Sequence, residues 1–192
     1  MKHKKLFFAL ATFIFLANVA NAQLEKKEVG VTYNPNAKID SSKRSIKSSA
    51  VGKIGDANIV IDYHSPGLRK RVVWGGLVPY DEVWVTGAHS ATSIEFDRPL
   101  IIGGKKIEPG KYALFTIVGK STWTVILNKN WEQHLADDYD EKDDILRIIV
   151  EPREQDRSLE RLQYFISELA GQKGTIAIGW DKLLISFPVQ AL

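Results

Sequence analysis

Residues 93–127 read SIEFDRPLIIGGKKIEPGKYALFTIVGKSTWTVIL. Short apolar or alternating runs, Ser93–Phe96, Leu100–Ile102, Tyr112–Val118 and Trp123–Leu127, are divided by turn residues. Gly103-Gly104 joins Leu100–Ile102 to Lys105–Ile107 as a two-residue hairpin turn, since glycine accepts the positive φ that such turns need. Pro109-Gly110 and Gly119–Ser121 mark two further reversals. Runs this short and this closely spaced are strands, not helices.

The same pattern extends in both directions. Upstream lie Asn58–Tyr63 (NIVIDY), Arg71–Trp74 and Glu82–Val85, punctuated by Gly75-Gly76 and Pro79. Downstream lie Ile145–Val150, Leu162–Leu169, Thr175–Trp180 and Leu183–Phe187. Many short strands with Gly and Pro between them predict an all-β chain, an antiparallel β-sandwich of about 8–10 strands over residues 57–192. Parity puts Trp123, Val125 and Leu127 on one face of their strand, and Ile176, Ile178 and Trp180 likewise, so these face the core. One stretch departs from the pattern. Asn128–Asp144 (NKNWEQHLADDYDEKDD) lacks alternation, and Trp131–Asp138 is expected to form one short helix in a loop, with Asn130 as its N-cap. It is the longest polar excursion in the domain, and loops on a rigid sheet scaffold are where binding groups gather.

The N-terminus carries a different message. Lys2, Lys4 and Lys5 precede an apolar run from Leu6 to Ala17, and Ala20-Asn21-Ala22 ends it. A basic start, a short apolar stretch and an A-x-A site describe a secretory signal peptide over residues 1–22. The run is too short to cross about 30 Å of hydrocarbon as a helix, so no transmembrane anchor is expected after cleavage. The expected location is the periplasm or the exterior. Residues 23–56, including KIDSSKRSIKSSAVGK at 38–53, read as a flexible polar and basic arm.

Composition excludes several classes. There is no cysteine among the 192 residues, which removes disulfides, thiol nucleophiles and iron–sulfur clusters. The sequence pI is about 9.0. Removing the leader's three lysines from 26 basic residues leaves 23, which matches the 23 acids. A mature chain without net charge lacks the positive field that nucleic-acid backbones require, so no nucleic-acid partner is expected.

Residues from about Asn58 to Val189 resemble a bacterial family known as domain of unknown function 2911. Tyr63–Pro66 (YHSP), Val73–Thr86 (VWGGLVPYDEVWVT), Gly87–Thr92 (GAHSAT), Gly103–Tyr112 (GGKKIEPGKY) and Trp123–Asn128 (WTVILN) carry the resemblance. It implies a β-rich, exported single domain and no established activity. Many such proteins read W-R-T-G-A-N-E-A-T where this chain reads Trp84 to Thr92 with Val85, His89 and Ser90 in place of Arg, Asn and Glu. A site built there is chemically different in this chain.

Three histidines remain beyond the leader: His64, His89 and His134. Each lies at a strand end or in a polar link, and Asp137 and Asp138 follow His134 at i+3 and i+4. Imidazole is the commonest transition-metal ligand, and a carboxylate can complete its shell. His64, His89, His134 and Asp138 are therefore the candidate ligands of a divalent transition metal, zinc or copper. The spacing matches no H-x-H or H-E-x-x-H motif. Tyr63, Trp84, Thr86, Ser90 and Trp131 are the candidate walls of a pocket for a small polar ligand or a carbohydrate, with Trp131 as an aromatic platform. The alternatives are a metal-assisted hydrolase, with Asp138 or Glu132 as base, and a structural or interaction protein of the cell envelope. GAHSAT lacks the second glycine of a nucleophile elbow, which argues against a serine hydrolase.

Overall fold

A computed structural model describes residues 44–192. The proposed leader and the arm up to residue 43 lie outside the described residues. The described chain is all β, eleven strands in two antiparallel sheets.

The larger sheet runs β1 (Ser45–Ile54), β2 (Ala57–Pro66), β4 (Ser93–Phe96), β7 (Gly110–Val118), β8 (Trp123–Asn128) and β9 (Asp144–Val150). The two-residue β3 (Val83–Trp84) pairs with the far end of β7, through Val83↔Ile117 and Trp84↔Thr116. The smaller sheet runs β10 (Arg153–Glu168), β11 (Lys173–Ala191), β5 (Leu100–Ile102) and β6 (Lys105–Ile107). The Gly103-Gly104 turn joins β5 to β6 with both glycines at positive φ, +58° and +79°. Burying one face of each sheet against the other makes the core, as period-2 patterning demands. Ile59, Ile61 and Tyr63 of β2 and Val125 of β8 meet Tyr164 and Ile166 of β10 and Ile176, Ile178 and Trp180 of β11 there.

Four expectations change. Ser45–Ile54, read as part of the arm, is a full strand, with all ten residues in register with β2 from Ser45↔Pro66 to Ile54↔Ala57. Its small, polar composition reflects an edge position under β10. A Cβ on Gly52 would come within 2.6 Å of Ile166 Cγ2, so bulk is excluded there. Arg71–Trp74 is not a strand but leads into a turn, in which Leu77 N–H donates to Val72 O at 3.1 Å and Val78 N–H to Val73 O at 2.9 Å. Thr175–Trp180 and Leu183–Phe187 are one continuous strand, β11, with Asp181 at φ +51° absorbing an irregularity against β10.

The fourth change matters most for function. Residues 131–138 form turns, not a helix. Their backbone groups are committed elsewhere: Ala91 N–H donates to Gln133 O at 2.9 Å and Leu135 N–H to His89 O at 2.6 Å. Leu135 sits at φ +49°, outside helical space. Asn130 does not cap a helix; its Nδ2 donates to Asp138 O at 3.5 Å. Among the described residues helical geometry is confined to the 3-10 turn Glu141–Asp143, where Asp140 Oδ1 accepts from Lys142 N–H at 2.9 Å.

Candidate functional site

The excursion between β8 and β9 lies back over the outer face of the larger sheet. Ala113, Phe115 and Ile126 point outward, opposite in parity to the core, and would meet water if uncovered. Trp131, Ala136 and Tyr139 cover them and form a second, smaller apolar cluster. The Tyr139 ring stands edge-on to Phe115 at 5.3 Å between centroids. Its hydroxyl donates to Asp144 Oδ2 at 2.7 Å and accepts from Arg147 Nη2 at 2.8 Å. Burial and the Asp144 carboxylate push the Tyr139 phenol up to about 12. The buried Asn128 closes the base of the excursion. Its Nδ2 donates to Asp140 O at 3.0 Å and to Asp144 Oδ1 at 2.8 Å, and its Oδ1 accepts from Asn130 N–H at 2.9 Å.

Beside this cover a cleft of about 480 Å³ opens, within the range of small-molecule sites. Its floor is the outer face of β1, β2, β4 and β7. Lys47 is the cross-strand partner of His64, and Asp62 that of Ser93, so these side chains share one face. Lys111 of β7 stands at one side, 3.9 Å from a Glu95 carboxylate oxygen and 4.3 Å from the Trp131 ring centroid. The walls are Ser90–Ala91 and Trp131–His134, which are joined by a Ser90↔His134 bridge.

The link bearing His89 and Ser90 is held from beneath. Trp84 Nε1 donates to Gly87 O at 3.1 Å, and the Trp84 ring stacks on Trp180 at 6.1 Å. Thr86 is fully buried at φ +51°, a strained conformation for a β-branched residue. Its carbonyl accepts from Tyr164 OH at 2.6 Å and Thr92 Oγ1 at 3.1 Å, and its hydroxyl meets Thr116 Oγ1 at 3.1 Å. Trp84 and Thr86 therefore support the link from beneath, and neither lines the cleft. Tyr63 borders the cleft, but its ring faces the core at 4% exposure, edge-on to Tyr164 at 4.6 Å. Ser90 and Trp131 line the cleft.

The histidines converge only in part. His64 and His134 both line the cleft, and His89 stands edge-to-face against His64, 5.1 Å between ring centroids. His134 Nδ1 is paired with Asp137 Oδ2 at 3.1 Å on the exposed rim. Asp138 is exposed and does not line the cleft. Among the described residues no group of three or more His, Asp or Glu side chains stands together as a metal shell. Trp131 has one ring face occupied by the Lys111 ammonium, which weakens its reading as a sugar platform.

Sequence reasoning missed Lys47, Asp62, Ser93, Lys111 and Gln133. Asp62 was signalled, since it is two residues before His64 on a strand and so shares its face. Lys47 was hidden by the polar character of β1.

Burial holds the His64 imidazole below its ordinary value of 6.5, and the neighbouring charges of His89 and Lys47 push it the same way. A folded-state value below the unfolded one means that the folded protein binds this proton more weakly. Stability is then complete above about 6.5 and falls as pH drops through 6.5 toward the depressed value. In a histidine-detected NMR titration, His64 should titrate below 6.5. His89→Ala should move its midpoint upward without reaching 6.5, because burial, the larger cause, remains. A His64 midpoint at or above 6.5 in the unmodified protein would refute this assignment.

A family model described as protein of unknown function (DUF2911) matches residues 45–189, which takes in β1. No curated protein and no solved structure is significantly similar to this chain. No helix of the described residues is long and apolar enough to cross a membrane.

Proposed function

The chain belongs to the DUF2911 family of proteins of unknown function, and from that premise we propose that it is an exported binding protein whose outer-face cleft takes a small polar ligand. One observation carries this reading. Five separate stretches of chain, around residues 47, 62–64, 90–93, 111 and 131–134, meet at one concavity of about 480 Å³. The excursion that covers the Phe115–Ile126 cluster also walls the cleft, through Trp131–His134. Three charged side chains there, Lys47, Asp62 and Glu132, form no ion pair or side-chain hydrogen bond among the described residues. Lys47 and Glu132 are exposed and Asp62 is half-buried, so water serves them in the free protein and a polar ligand can displace it. Export rests on the leader motif of residues 1–22.

The test is a thermal-shift screen of amino acids, carboxylates, inorganic phosphate and simple sugars, followed by calorimetry of any hit. A hit should raise the melting temperature by mass action. His64→Ala and Trp131→Ala should each weaken it about tenfold or more, equivalent to about 1.4 kcal/mol. A screen in which nothing shifts the melting temperature favours a structural role in the envelope.

The His64–His89 contact favours a second reading, a divalent transition metal held by these two rings with open positions for an exogenous ligand. On this reading a hydrolase would draw its base from Glu132, which lines the cleft, and not from Asp138, which does not. Zinc and copper titrations separate the readings. Metal binding lost in both His64→Ala and His89→Ala supports the second, and unchanged binding in these variants removes it.

A further inference from the structure

We propose that the ligand of the cleft is zwitterionic, a free α-amino acid or short peptide carrying an ammonium and a carboxylate together; this rests on the reading of the cleft as a binding site. The floor presents both signs of charge side by side. Lys47 and His64 are cross-strand partners, and Asp62 lies two residues before His64 on the same face, diagonal to Lys47. Lys47 and Asp62 do not pair with each other or with any other described charge. Lys111, by contrast, is already engaged by Glu95 and by the Trp131 ring, and His134 by Asp137.

The excursion adds acceptors on one wall. Glu132 contributes a second unpaired carboxylate. Gln133 is only 6% exposed and braces this wall, its Nε2 donating to Asn130 O at 2.6 Å. Asp62 and Glu132 thus form an acceptor set suited to an ammonium. Lys47, Ser90 and the ring N–H of a neutral His64 form a donor set suited to a carboxylate. A monoanion would face Asp62 and Glu132 uncompensated, a monocation would face Lys47, and a neutral sugar would offset neither charge.

Calorimetry on the full chain, in chelator-containing buffer, tests this with the standard α-amino acids and the dipeptide Gly–Gly as probes. For the best binder, the N-acetyl and the C-amide derivatives are measured alongside. At least one zwitterion should bind saturably, and blocking either end should weaken it about tenfold or more. Lys47→Gln should weaken the zwitterion but not its C-amide, and Asp62→Asn should weaken the zwitterion but not its N-acetyl form. Both positions lie on the outer sheet face, and circular dichroism checks that the variants fold. If succinate, inorganic phosphate or glucose binds in a His64→Ala-sensitive way while no amino acid or Gly–Gly does, the charge assignment is overturned and the binding reading stands. Zwitterion binding untouched by both charge variants overturns the placement in this cleft. No binding by any probe overturns both.

Discussion

Replacing Trp180 by alanine is expected to lower folding stability by about 3–5 kcal/mol, the cost of emptying a large core site. Trp180 is buried at the meeting of three other indoles: it stacks on Trp84 at 6.1 Å and meets Trp74 edge-on at 6.0 Å, while Trp74 meets Trp123 at 4.7 Å. The indole N–H groups of Trp74, Trp123 and Trp180 have no hydrogen-bond partner among the described residues. Edge-to-face packing offers them neighbouring ring faces in place of oxygen acceptors. The substitution therefore removes packing and no conventional hydrogen bond. Urea unfolding measures the loss, and a change below about 1 kcal/mol would show that the surroundings collapse into the site. The consequence reaches the cleft. Trp84 loses its stacking partner, and with it the anchor that its indole gives to Gly87 O at the root of the His89–Ser90 link. Ligand binding should fall even at temperatures where Trp180→Ala remains folded.

Asn128→Ala is the second substitution with a large expected effect. It deletes three hydrogen bonds, to Asp140 O, Asp144 Oδ1 and Asn130 N–H, at a fully buried position. At about 1 kcal/mol each the loss is about 2–4 kcal/mol. The effect should be local before it is global. Amide exchange of residues 130–140 should accelerate, while the β10–β11 hairpin keeps its protection. The excursion carries Trp131–His134, so ligand affinity should drop in step with its protection. Exchange at 130–140 unchanged from the parent protein would remove Asn128 as the anchor of this wall.

How much of this was legible depends on what each feature needs. The β5–β6 turn was readable because Gly103-Gly104 is a local requirement of the backbone. The sandwich was readable because alternation such as Trp123, Val125, Leu127 is imposed by which face is dry. The excursion was visible as an interruption, but its conformation was not. The short helix expected over Trp131–Asp138 was overridden by backbone bonds to residues 89–91, which are remote in sequence. A signal for its position was present nevertheless. Ala113-Leu114-Phe115 and Val125-Ile126-Leu127 are apolar without alternation, and a strand apolar on both faces must be covered on both.

The order of residues alone determined the strand class, the turns, the apolar faces and the candidate export signal, because each follows from chemistry within a few positions. Only the tertiary structure decided that Lys47, Asp62, His64 and Gln133 face one cleft, that His89 touches His64, and that Trp84 and Thr86 lie beneath it. Pairing register and the path of a long loop are set by contacts between distant segments, and no local pattern encodes which segments will meet.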